Sequence, residues 1–217
     1  MTKMLIVSGG WDGHSPHEVA DTVGEVFANL GWRVEFGREI EDFRRAVEFD
    51  VVVPNWTMGE IDAESAKALL IAVEGGVGLA GIHGGMGDAF RNCTEYQFMV
   101  GGQFVAHPGA GDRRYSVEFE PGWSLTDGLE DFEVETEKYY MHIDPAIRIL
   151  ATTRFEDFGD TLMPIAWMKR WGLGKVFYCS LGHSPNILKI PSVLKFVTRG
   201  IECVANKRAE VQGAPLK

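Results

Sequence analysis

Two of the six histidines in the 217-residue chain stand where glycines can thrust a side chain into a pocket. The stretch Gly78–Gly85 runs through small apolar residues and stops at His83, with Gly81 two positions before it and Gly84-Gly85 behind it. Glycines at that spacing let a strand turn sharply into a helix and expose the residue between them. His183 follows Leu181-Gly182 in a similar setting. An imidazole titrates near neutral pH and suits proton transfer beside a carbonyl, so His83 reads as a general acid/base. His183 then reads as the partner acid or as the group that polarises the carbonyl. A tight turn whose His merely bonds a neighbouring carbonyl is the competing reading.

Other polar residues recur at the same kind of place. Trp11, His14 and His17 lie in the loop after the first hydrophobic run, and Asn55 and Trp56 follow the third. Asp88 lies just beyond His83, while Glu137, Tyr139, Tyr140, His142 and Asp144 cluster in or just after one β segment. Asp88, Glu137 or Asp144 can orient an imidazole or bind hydroxyls. Trp11 and Trp56 offer aromatic faces that suit the apolar faces of sugars, with core packing as the alternative. His14 and His17 flank Pro16 and can hold a ligand or cap the following helix. His142-Ile143-Asp144 also fits plain strand alternation, and His107-Pro108 reads as a loop folding back on the Gly101-Gly102 segment. No metal or cofactor is demanded by this set. His14, His83 and His183 with a carboxylate would nonetheless suit Zn²⁺ with an open position.

The elements that must place these residues follow from periodicity. Met4–Ser8, Arg33–Phe36, Phe49–Val53 and Val77–Ile82 read as strands. Between them lie helices: one carrying Val19, Val23, Val26, Phe27 and Leu30, a short one at Ile40–Glu48, and one capped by Asp62. This alternation predicts right-handed βαβ units and a parallel sheet covered on both faces. Ligands of such sheets bind beyond the carboxyl ends of the strands. The second half changes character. A helix is expected within Asp88–Val100, then strands at Tyr115–Phe119, Glu133–Tyr140 and Arg148–Thr153. A hairpin of Met163–Lys169 and Lys175–Cys179 and a last helix, Pro191–Ala205, complete the pattern. Asn206–Lys217 reads as a polar, frayed tail. Residues 1–217 are expected to form one domain.

Composition narrows the classes. With 45% hydrophobic and 24% charged residues the chain is an ordinary globule. It has no apolar run of about 18 residues, so no membrane partner is expected. The N-terminal residues lead directly into a strand, so no leader is expected and a cytoplasmic location follows by default. A net charge of −10 without a basic cluster argues against nucleic acid. Cys93, Cys179 and Cys203 suggest neither a disulfide framework nor a zinc knuckle. A homo-oligomer is compatible with all of this.

In chain order, a set of residues resembles the ThuA-like (trehalose-utilisation) family. It comprises Gly9-Gly10 with His14, Gly81–Gly85, Gly101–Phe104 before His107-Pro108, Glu137 with Tyr139, Pro164–Trp167, Gly174–Tyr178 and Leu181-Gly182-His183. The resemblance covers nearly the whole chain. It implies a flavodoxin-like α/β sandwich of the class I glutamine-amidotransferase-like superfamily: a mostly parallel sheet with an added antiparallel β portion. It also implies a role in disaccharide or keto-sugar metabolism. His83 stands where amidotransferases carry a nucleophilic cysteine, and His183-Ser184-Pro185 lacks the Glu of their His-Pro-Glu segment. Glutamine hydrolysis is therefore not carried over. The resemblance leaves open an acid/base sugar enzyme (isomerase, lyase or hydrolase), a zinc-dependent one, and a catalytically silent sugar-binding module.

Overall fold

Along the first strand, alternate residues face opposite cores. Met4 and Ile6 join one apolar cluster, Leu5 and Val7 the other, and all four are fully buried. A strand covered on both faces must be the centre of a three-layer structure. The computed structural model, which describes residues 1–109 and 111–205, has that form. The elements in order are β1 (Lys3–Gly10), α1 (Pro16–Asn29), β2 (Arg33–Gly37), a 3₁₀ segment (Ile40–Glu48), β3 (Val51–Thr57), α2 (Ala63–Glu74) and β4 (Gly78–Ile82). Next come α3 (His83–Gly87), α4 (Thr94–Val100), β5 (Gly102–Ala106), β6 (Arg113–Phe119), β7 (Phe132–Thr136), β8 (Tyr140–Ile143) and β9 (Arg148–Phe155). The chain continues with β10 (Thr161–Trp171), β11 (Gly174–Cys179), α5 (Pro185–Leu188) and α6 (Pro191–Ala205).

Nine strands form one sheet in the order β2-β1-β3-β4-β11-β10-β9-β6-β7. The first five are parallel, and β10, β9, β6 and β7 extend the sheet antiparallel. α1 and α6 cover one face through Val19, Val23, Phe27, Val197 and Ile201, while α2, the 3₁₀ segment and α4 cover the other through Leu69, Val73, Phe43 and Met99. Asp62 caps α2 by accepting from the Glu64 and Ser65 amides, a contact worth about 1 kcal/mol. Among the described residues no helix is long and apolar enough to cross a membrane, and all three cysteines are free.

Several expectations need correction. β3 does not stop before Pro54; it continues to Thr57, which pairs with Gly10 of β1. The ladder to β4 is confined to Val51 and Val52, so the missing Pro54 N–H leaves no bond unmade on that side. Glu133–Tyr140 is not one strand. β7 ends at Thr136 in the large sheet, and β8 begins at Tyr140 in a separate two-stranded sheet with β5. The intervening Glu137, Lys138 and Tyr139 are all buried, which no strand with one solvated face permits. β5 starts on Gly102 and is a strand that the sequence pattern does not mark. The helix expected in Asp88–Val100 is only the seven residues of α4; α3 precedes it, directly continuous with β4. α1 ends at Asn29 and leaves Leu30 exposed. The expected tail Asn206–Lys217 lies outside the described residues.

Candidate metal centre

β4 hands the chain to α3 at His83, whose φ of 46° lies in the left-handed region, a strained conformation for a residue with a side chain. The glycines around it are required by close packing. A Cβ on Gly84 would lie 2.7 Å from the His14 ring, one on Gly81 would collide with Met86, and one on Gly85 would collide with Asn55 Oδ1. This sharp turn buries the His83 ring, which is 2% exposed. The parallel strands β1, β4 and β11 end on the same edge of the sheet. They are followed there by His14, His83 and His183 respectively, while the β7–β8 connection brings Glu137 across from the antiparallel side.

The four side chains meet. One ligand-type atom from each of His14, His83, Glu137 and His183 lies within 4.8 Å of the others. Glu137 Oε2 is 3.2 Å from His83 Nε2, 3.4 Å from His183 Nδ1 and 3.8 Å from His14 Nε2. His183 Nδ1 lies 3.2 Å from His83 Nε2. Bonds of about 2.0–2.1 Å at tetrahedral angles put donor atoms about 3.3–3.4 Å apart, so this spacing suits a zinc-like ion. The outer partners agree. His83 Nδ1–H donates to the Ser180 carbonyl at 2.8 Å, because a carbonyl can only accept. A neutral His83 therefore turns a lone pair inward at Nε2. His14 Nδ1 lies 2.9 Å from Thr57 Oγ1, and donation there likewise frees Nε2. Histidine ligands typically have such second contacts fixing their tautomer.

The electrostatics favour neutral imidazoles at His14 and His83 beside one carboxylate. Burial, then the neighbouring His83 and His183, pushes His14 down to about 3. Burial likewise lowers His83 against the opposing pull of Glu137. For Glu137, burial alone would raise the pKa, but the neighbouring His183 and His83 hold it well below the usual carboxylate range. The same Glu137 bond raises His183, the most exposed of the four ligand candidates. Tyr139 stacks on His83 with ring centroids 4.1 Å apart and donates its O–H at 2.8 Å to the same Nε2 lone pair, a bond that an ion at Nε2 would replace; burial raises its pKa far above the ordinary phenol value.

Not every sequence candidate reaches this centre. Asp88 is buried but pairs with Arg91, three residues on. Asp144 pairs with Lys169 at 2.6 Å and caps the Ala146 amide. His142 is exposed on β8, paired across the ladder with Gln103. Asn55 donates to the Pro16 carbonyl at 2.6 Å and so holds the start of α1. Trp56 is half-buried, its ring where a Cβ on Gly9 would be. Trp11 is 49% exposed with its ring edge-on to His14 at 4.8 Å, a free aromatic face at the rim. His17 bonds Ser8 and Arg38 instead of the cluster. Nothing in the sequence pattern marks His107 as more than a loop residue, yet its Nε2 lies 3.8 Å from Glu137 Oε1. Thr57 and Ser180, the outer partners, also went unnoticed; their only signal is position, at or just beyond the strand ends that carry the histidines.

The centre has no thiol. Cys179 is fully buried within β11, where burial pushes it up to about 12, and such a thiol is a poor nucleophile. Incubation with glutamine is expected to release no ammonia above the buffer blank; release that disappears on replacing a cysteine would contradict this.

Solved structures share the fold. A ThuA-like protein from Parabacteroides merdae superimposes with a TM-score of 0.79 at 17% identity, covering 97% of this chain and 92% of that one. A cytoplasmic protein of Salmonella typhimurium LT2 gives 0.66 at 13%, with coverage of 93% and 99%. A β-galactosidase from Rahnella sp. R3 gives 0.61 at 16%; the match spans 92% of this chain but only 30% of the enzyme. No curated protein matches the sequence. The sequence profile of the ThuA family, described as trehalose utilisation, matches residues 3–204, and the chain belongs to that family.

Proposed function

We propose that this protein is a metal-dependent enzyme of carbohydrate metabolism acting on a disaccharide or keto-sugar, with His14, His83, Glu137 and His183 as ligands of a divalent ion. The observation that carries the reading is the convergence of three imidazole nitrogens and one carboxylate oxygen at ligand spacing. Zinc suits this donor set, and a bound zinc ion polarises a carbonyl or lowers the pKa of a bound water. The protein's own groups divide the remaining tasks. Ser180 and Thr57 hold the His83 and His14 rings. Tyr139 packs on His83 and keeps water from its face. Trp11 offers an exposed ring on which a sugar can stack, and His183 is partly exposed. His83 is less well placed as a free acid/base, because Nδ1–H is committed to Ser180 and the ring is buried.

The family description, trehalose utilisation, supports a sugar substrate. The net charge of −10 fits a small neutral ligand better than nucleic acid. The test is elemental analysis of purified protein, followed by turnover of a panel of keto-disaccharides with and without chelator. About one ion per chain and chelator-sensitive turnover are expected. Turnover that survives complete removal of metal would favour acid/base chemistry by the histidines alone. A loaded protein that binds sugars and turns over none would instead be a binding module.

A further inference from the structure

We propose that His107 is the outer partner of Glu137: its Nε2–H holds the carboxylate's Oε1 so that Oε2 is presented to the ion. The inference rests on the metal-centre reading and adds a positioning residue to it. Glu137 uses its two oxygens differently. Oε2 faces His83, His183 and His14, whereas Oε1 has His107 Nε2 at 3.8 Å as its ionic partner. A ligating carboxylate left free to rotate loses directional hold on its ion, which is why its second oxygen usually carries a hydrogen bond.

His107 is built to supply that bond. It follows β5 and lies near-parallel to the Tyr139 ring, with centroids 6.4 Å apart and planes 23° apart; Tyr139 in turn stacks on His83. Phe104 packs 4.4 Å from Tyr139 and 5.9 Å from His107, so two aromatic rings, Tyr139 and Phe104, set the direction of the imidazole. Glu137 bridges this stack, one oxygen toward each histidine. The other ring nitrogen, His107 Nδ1, is buried without a hydrogen-bond partner. An unpaired buried polar atom is costly, so it does not explain why the ring sits there. The Glu137 contact does. At 3.8 Å that contact is an ion-pair distance and not yet a hydrogen bond. The His107 side chain is 38% exposed, which leaves room for the ring to close on Oε1 when the carboxylate is fixed by an ion.

The test uses the full-length protein and Zn²⁺ alone, with affinity read by competition against a chromogenic chelator. His107→Leu removes the donor and is expected to weaken Zn²⁺ binding about 10- to 100-fold, the usual effect of losing an outer partner. His107→Gln places an amide N–H near the Nε2 position and is expected to restore most of the affinity. Thermal unfolding of the metal-free proteins should be unchanged by either substitution, which separates positioning from folding. If His107→Leu fails to fold, His107→Asn, whose amide is too short to reach Oε1, takes its place. Wild-type affinity in His107→Leu would overturn this inference and leave the metal centre standing. Equal weakening by His107→Leu and His107→Gln would also overturn it, since the donor would not be what matters. A wild-type protein that binds no Zn²⁺ would overturn both.

Discussion

Glu137→Gln is expected to abolish high-affinity ion binding while leaving the fold in place. The substitution keeps side-chain volume and one oxygen but removes the negative charge of the centre, whose other three candidate ligands are imidazoles. Losing an outer partner alone costs about 10- to 100-fold in affinity, so losing the charged ligand should cost more than about 100-fold. Thermal unfolding gives a second readout. At an ion concentration of about 100 times the wild-type Kd, binding stabilises the wild-type protein by about 2.7 kcal/mol. With a Kd raised at least 100-fold, the variant gains no more than about 0.4 kcal/mol at the same concentration. Ion-dependent stabilisation of equal size in both proteins would show that Glu137 is no ligand. The His107 substitutions above occupy the intermediate range. Glu137→Gln should bind the ion most weakly, His107→Leu should come next, and His107→Gln should lie near wild type.

Trp167→Ala is expected to cost the most stability of any single side-chain truncation in the molecule, about 3–5 kcal/mol. Trp167 sits on β10, fully buried, and is the largest such side chain among the described residues. Its indole N–H donates to the Val100 carbonyl at 2.9 Å, and its ring lies 4.4 Å from that of Tyr178. The ring also lies over the turn into β5, where a Cβ on Gly102 would come within 2.6 Å of it. Truncation therefore opens a cavity and orphans a carbonyl. Against a typical total of about 5–15 kcal/mol, that loss is large. It has a functional consequence too. Trp167 seats β5 on the main sheet, β5 pairs with β8, and β8 begins immediately after Tyr139. Glu137, Tyr139 and His107 all hang on that ribbon, so ion affinity should fall together with stability. Urea unfolding with and without Zn²⁺ measures both. A loss below about 1 kcal/mol would mean that the core closes over the gap.

The N-terminal half was legible because its physics is local. Strands β1 to β4 are short apolar runs, and α1 and α2 carry amphipathic repeats that each need only a single buried face. Once the sheet is parallel, the carboxyl ends of its strands lie on one edge, which groups His14 and His83; His183 follows the second strand of a hairpin, and its place beside them came from the family resemblance more than from periodicity. The glycines around His83 pointed to the same place, and the packing of Gly84 against His14 gives their reason. The sequence also argued against glutamine hydrolysis, since His83 and not a cysteine occupies the turn.

Tertiary structure decided which charges belong to the site. Asp88, Asp144 and Glu137 look alike as carboxylates near the right strands. Arg91 neutralises the first and Lys169 the second, across 3 and 25 positions of sequence respectively, whereas Glu137 faces only imidazoles within ion-pair distance among the described residues. Its placement arises where the chain leaves one sheet for another, in three consecutive buried residues that break the two-residue period. Such a crossing has no local signature, because what buries Glu137, Lys138 and Tyr139 is contact with segments 50 or more residues away as well as with near neighbours. His107 was illegible for the same reason: its role depends on the separation of Nε2 from one particular carboxylate oxygen. Periodicity encodes which face of an element is buried. The meeting of single atoms from five segments depends on sheet order and packing, which the folded chain alone determines.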